Sequence, residues 1–171
     1  ITVLARWLVP ADFGLIAMVA VFTGFVALFQ DLGLSMATIQ RKDISHSQVS
    51  TLFWINVGLS FSMALIGAAL APLVAWFYAE PQLFWITVAI STTFIFGGFG
   101  AQHIALLRRQ MRFKALAVVE ILGNFIGVVV GIALALLGAR YWALVAMGAA
   151  SAISTSLIAF LLSGWVPGLP R

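Results

Sequence analysis

Two acids interrupt apolar runs of this sequence, and basic residues crowd the ends of the same runs. Asp31 lies in GFVALFQDLGLSMATIQRKDISHSQ (residues 24–48), which passes through Arg41 and Lys42. Glu120 opens EILGNFIGVVVGIALALLG, shortly after ALLRRQMRFK with its Arg108, Arg109, Arg112 and Lys114. A carboxylate in apolar surroundings can carry a proton, pair with a cation or line a polar path, and guanidinium forks match phosphate oxygens. Helical spacing extends both acidic positions into stripes. Ala17, Ala20, Gly24, Ala27, Asp31, Ser35 and Thr38 recur at steps of three or four, as do Glu120, Asn124, Gly127, Gly131, Ala135 and Gly138. Asn56 and Ser60, Ser91, Gln102 and His103, and Ser151 and Ser154 are further polar positions inside apolar runs.

These residues give two candidate sets. Asp31, Glu120, Asn56, Asn124 and Gln102 are candidates for a substrate path; Arg41, Lys42, Arg108, Arg109, Arg112 and Lys114 are candidates for binding phosphate or anionic lipid. Each has a structural alternative. The polar residues can be helix-to-helix hydrogen bonds, with Glu120 held by a neighbouring arginine, and the basic residues can simply fix topology.

The elements that must position them are membrane spans. Of 171 residues, 63% are hydrophobic and 8% charged, against roughly 45–50% and about 25% in soluble domains. Mean hydropathy is +1.13, and the apolar runs repeatedly exceed the ~20 residues that cross a bilayer core. A helix closes its own backbone hydrogen bonds in lipid; the runs lack the alternation of a barrel strand. The expected fold is therefore an all-α, polytopic membrane bundle forming a single transmembrane domain over residues 1–171.

Its expected helices are one partial span at about 1–9 and five complete spans at about 13–39, 49–78, 83–107, 115–137 and 141–162. The opening ITVLARWLVP reads as the tail of a helix whose start is missing, so a fragment of a longer chain is expected. Ser45, Ser47 and Gln48 supply capping chemistry for the span that follows them, Pro72 is expected to kink that span, and GGFG at 97–100 admits a close neighbour. Gly123, Gly127 and Gly131 form overlapping GxxxG steps suited to close packing.

Basic residues in alternate connections give the orientation. Arg41, Lys42, Arg108, Arg109, Arg112, Lys114 and Arg171 fall on one side, Arg6 and Arg140 on the other. The richer side is assigned to the cytoplasm, which places loops 41–48 and 108–114 there. Trp7, Trp76, Tyr78, Trp85, Tyr141 and Trp142 cluster at the opposite ends as an interfacial belt. Topology accounts for the net charge of +4 without nucleic acid.

No catalytic constellation is legible, so no enzyme activity and no cofactor are expected. Cysteine is absent, His46 and His103 are far apart in the sequence, and neither a Walker motif nor a dinucleotide fingerprint occurs, so no metal site is expected either.

The phrases LARWLVPADFG, DLGLSMATIQR, STLFWIN, ALLRRQMRF and YWALV carry a family likeness from Leu4 to about Trp165. The chain resembles the N-terminal half of bacterial polysaccharide flippases, the lipopolysaccharide and exopolysaccharide exporters of the multidrug/oligosaccharidyl-lipid/polysaccharide exporter superfamily. That resemblance implies two six-helix bundles around a central cavity, with this chain forming most of the first. It implies transfer of undecaprenyl-pyrophosphate-linked oligosaccharide across the bacterial inner membrane by alternating access, with polysaccharide assembly machinery as a further partner. The start of the first helix and the second bundle are the departures from the family pattern. Rival readings are a drug or cation antiporter of the same superfamily, a scaffold subunit, and a membrane-embedded glycan polymerase or ligase, against which the short outer loops argue.

Overall fold

The computed structural model describes residues 9–30 and 45–168, with side chains for all of these except 25–30. It contains helices α1 (Pro10–Gln30), α2 (His46–Phe77), α3 (Gln82–Arg109), α4 (Phe113–Leu136) and α5 (Tyr141–Ser163), and no strand among the described residues. The last four are long and apolar enough to cross a membrane. They match the expected spans to within a few residues at each end. The full count of one partial and five complete spans is not reached among the described residues: α1 is described only to Gln30, and residues 1–8 lie outside them, as do Asp31, Arg41 and Lys42.

Local chemistry sets the helix ends. Pro10 occupies the first helical position of α1, where its missing N–H costs nothing, and Asp12 Oδ2 accepts the Val9 N–H at 3.2 Å. At the start of α2 the expected capping chemistry takes the form of a reciprocal box. The Ser45 hydroxyl accepts the Gln48 N–H at 3.3 Å, while Gln48 Oε1 accepts the Ser45 N–H at 3.0 Å. Arg108 and Arg109 stand in the last turn of α3, where carbonyls favour a cation. Gly164 ends α5 in the left-handed region at φ 64°, a conformation that glycine reaches without a Cβ penalty. α2 runs on as helix through Pro72, and α3 through the GGFG sequence.

Packing follows the order α2, α3, α5, α4: α3 lies against both α2 and α5, α4 packs chiefly on α5, and α1 touches α2, α3 and α5. Small residues make these contacts close. A Cβ added to Gly127 would lie 2.7 Å from the Met147 carbonyl oxygen on α5, and one added to Gly131 would lie 2.9 Å from Met147 Cβ. With Gly123 against Thr155, this is the backbone-to-backbone seam that the GxxxG spacing anticipates. The other expected close approach is met at Gly98, which faces Ser60 and the Asn56 carbonyl on α2, and at Gly100, which faces Ser156 on α5.

Apolar clusters complete the bundle. Val19, Val74, Leu83, Ile86 and Val145 join α1, α2, α3 and α5 near the end where Tyr78 and Tyr141 lie. Leu107, Val119 and Ala159 join α3, α4 and α5 near the basic end. Phe61, Leu65, Ile121, Phe125, Leu157 and Leu161 remain exposed, as side chains facing lipid would.

Gly127→Leu in the full-length protein should lower stability by about 1–3 kcal/mol, because the new side chain must push α5 away. Gly58→Leu, at a position with nothing within 4 Å of an added Cβ, is the matched control and should change stability by less than about 0.5 kcal/mol. Thermal unfolding in detergent that moved both variants equally would contradict the seam.

Candidate functional site

The buried polar residues gather along the α2–α3 seam. Asn56, Ser60, Thr87, Ser91 and Gln102 are all buried, and the Asn56 amide donates from Nδ2 to Gln102 Oε1 at 3.3 Å. Two candidate residues from different helices are thereby brought together. Gly98 makes their approach possible by leaving room for Ser60 beside the Asn56 backbone. A buried amide pair supplies what lipid tails cannot, a directional contact that fixes the register of two helices.

Glu120 and Asn124 occupy a different place. Both are exposed on α4, one turn apart, and Asn124 Oδ1 accepts the Ser151 hydroxyl of α5 at 3.0 Å. The arginine-held alternative for Glu120 has no counterpart here, since Glu120 takes no hydrogen bond or ion pair among the described residues. With Ser151, the two side chains make a polar strip on a helix whose neighbouring exposed residues, Ile121, Phe125 and Val128, are apolar. A carboxylate at the centre of a bilayer costs on the order of 3 kcal/mol even by insertion scales, and Glu120, six residues along α4 from Lys114 and so about 9 Å from the basic turn, stands nearer the boundary. The helix order separates the strip from the Asn56–Gln102 pair, so the candidates do not form one site.

The basic candidates Arg108, Arg109, Arg112 and Lys114 surround the turn that joins α3 to α4: Arg108 and Arg109 in the last turn of α3, Arg112 just before α4 and Lys114 in its first turn. Arg108, Arg112 and Lys114 are exposed and Arg109 is half-buried. Arg112 Nη1 donates to the Leu162 carbonyl on α5 at 2.8 Å, which ties the turn to the end of that helix while leaving the side chain exposed. Asp31, Arg41 and Lys42 fall outside the described residues.

Three features escape the sequence reading. The first is a strap formed by residues 164–168. It crosses the start of α2, where the Gly168 N–H donates to Ser50 Oγ at 3.0 Å and Trp54 Nε1 donates to the Gly168 carbonyl at 2.9 Å. The second is the histidine pair, whose members are far apart in sequence but pack on one indole: the Trp165 ring lies 5.7 Å from His46 and 5.4 Å from His103. His103 is buried and hydrogen-bonded through Nδ1 to Ser163 Oγ at 2.9 Å. The third is Asp12, which is 1% exposed and carries an ion pair with Arg140 at 3.7 Å, joining α1 to the turn before α5. Pro10 followed by an acid two residues later is the one local signal that could have singled Asp12 out, as an N-terminal helix motif.

A family model described as polysaccharide biosynthesis protein matches residues 3–170. The chain is similar to the lipopolysaccharide biosynthesis protein WzxC of Escherichia coli (strain K12), at 28% identity over 164 residues, covering 96% of this chain and 32% of that protein. It is similar to the succinoglycan biosynthesis transport protein ExoT of Rhizobium meliloti (strain 1021), at 28% identity over 167 residues, 98% of this chain and 34% of that one. The teichuronic acid biosynthesis protein TuaB of Bacillus subtilis (strain 168) is 29% identical over 102 residues, 60% of this chain and 21% of its own. The chain thus spans about a third or less of the length of these curated relatives. No solved structure matches.

A double-mutant cycle on Asn56→Ala and Gln102→Ala, read by unfolding of the full-length protein, should give a coupling of about 0.6 kcal/mol and no more than about 1.7, the range for hydrogen bonds between membrane helices. Strict additivity would mean that the pair contributes no shared bond.

Proposed function

The chain belongs to the polysaccharide biosynthesis protein family, and on that premise we propose that it forms most of the first of two helix bundles in an exporter of lipid-linked polysaccharide units. The units are carried on undecaprenyl pyrophosphate and cross the bacterial inner membrane by alternating access between the bundles. The observation that carries this reading is the strip in which Glu120 and Asn124, exposed on an otherwise apolar face of α4, are joined by the half-buried Ser151 of α5. A polar strip at membrane depth is tolerated where it lines a watery cavity or meets another bundle, and both exist in a two-bundle exporter. The names of WzxC and ExoT, one for lipopolysaccharide biosynthesis and one for succinoglycan transport, support a polysaccharide cargo.

In this proposal the loops at 41–48 and 108–114 face the cytoplasm. Arg108, Arg109, Arg112 and Lys114, with Arg41 and Lys42, draw the pyrophosphate to the mouth of the path, where guanidinium groups can grip its oxygens in pairs. Glu120 and Asp31 then either carry protons or hold those arginines in the closed arrangement. Asn56 and Gln102 serve the path from behind, by keeping α2 and α3 in register. The chain's own residues perform no covalent step in this scheme.

The test uses the full-length protein in vesicles loaded with lipid-linked sugar. Arg108→Glu with Arg109→Glu, with topology verified, should slow flipping by roughly tenfold or more, a barrier increase of about 1.4 kcal/mol. Glu120→Gln should slow it as well. Unchanged flipping in the arginine variant would remove the electrostatic mouth, and transport of cationic drugs with no transport of lipid-linked sugar would favour the antiporter.

A further inference from the structure

A cleft of about 450 Å³ opens between α2, α3 and α5, lined chiefly by Phe53, Trp54, Phe96, Phe99, Leu157 and Phe160. It uses a different face of α3 from Ile90 and Thr93, which line the space beside α1. It is also separate from the Glu120 strip on α4. The polar groups in its wall are already engaged with protein. Trp54 Nε1 donates to Gly168, Ser156 Oγ donates to the Phe96 carbonyl at 2.5 Å, and His103 Nδ1 is paired with Ser163.

Those facts restrict what can fill it. Water needs two or more polar partners, which this wall does not offer. A second helix, roughly 10 Å across with its side chains, is too wide for a cleft of this volume. A single hydrocarbon chain fits both the size and the chemistry, since ligand clefts start at about 300 Å³. From Phe96 to His103 the cleft runs about 10 Å along α3, well within the depth of one leaflet. It is continuous with the exposed apolar surface of the same helices, Phe61, Leu65 and Leu161 among it, which is solvated by lipid.

The charge at that end selects the kind of lipid. Phe160 lies three residues before the end of α5, and Arg112 holds that end through the Leu162 carbonyl; Arg108 and Lys114 stand exposed on the same turn. The first turn of α2, with His46, borders the mouth through Trp54 and the strap, and its leading amides add positive character. Headgroups gathering at such an end are anionic.

We propose that this cleft is a binding site for one acyl chain of an anionic bilayer phospholipid, with Pro167 of the strap closing its basic end. The lipid is a resident of the exporter rather than its cargo, and it braces α2 against α5, which meet across the cleft without packing directly on each other.

The experiment uses the full-length protein in nanodiscs containing phosphatidylglycerol with a diazirine on its acyl chain, followed by peptide mapping of the crosslinks. Labelling should concentrate at least fivefold on Phe99, Leu157 and Phe160 relative to Ile121 and Phe125 of α4, although the latter two are the more exposed. Leu157→Trp, which fills the cleft, should abolish the excess while flipping persists, and Ile153→Trp provides a second filling variant if the first fails to fold. Uniform labelling of all exposed positions would overturn the proposal. So would preferential labelling from a diazirine polyprenyl phosphate over phosphatidylglycerol, which would make the cleft a cargo site, or crosslinks to another protein chain in place of lipid. Leu157→Trp leaves the basic residues in place and is read by labelling, whereas Arg108→Glu with Arg109→Glu leaves the cleft wall in place and is read by flipping, so failure of one reading is distinguishable from failure of the other.

Discussion

Helices surrounded by hydrocarbon gain nothing by hiding apolar side chains from it, so this bundle depends on how closely its backbones can approach. The seam of Gly123, Gly127 and Gly131 against α5, and the placement of Gly98 against α2, supply that approach. Bulkier residues at these positions would hold the helices apart and forfeit the dispersion contacts that replace the hydrophobic effect. Polar contacts then fix what close packing leaves loose. Asn56 with Gln102 sets α2 against α3, and Asn124 with Ser151 sets α4 against α5.

The same constraint separates structural polarity from functional polarity. A polar group between two helices is satisfied by them, as the Asn56–Gln102 pair is, and then has nothing left to offer a ligand. Glu120 sits beside a seam without entering it. In the proposed exporter, the outward position of that carboxylate, on the polar margin of a glycine-packed helix, is what sets it apart from a packing contact.

Much of this was legible in the residues because it is local. Hydropathy located α2 to α5, the Ser45–Gln48 box announced the start of α2, and glycines spaced by four residues marked the α4 face that packs. What was not legible depends on which helices become neighbours. Nothing near His46 indicates that it will share an indole with His103, and a Pro/Gly-rich stretch gives no sign of docking on a helix start more than a hundred residues away. Asp12 carries only a local helix-start signal, and its burial follows only once the turn carrying Arg140 is folded beside it. Periodicity also placed Glu120 and the glycines on one stripe, whereas in the fold the glycines enter the seam and the acid stands at its margin.

The nearly exclusive attachment of α4 to α5 has a mechanical consequence. A force applied to the outer face of α4 has one principal route into the rest of the molecule, through the tight hairpin it forms with its successor. At the open end of that hairpin, where α5 closes, Ser163 grips His103 and the following five residues rope the assembly to the head of α2. The pair is thus moored at both ends, by Arg140 to Asp12 at its turn and by the strap at the close of α5, so that a tilt of α4 is passed to the head of α2 through that strap.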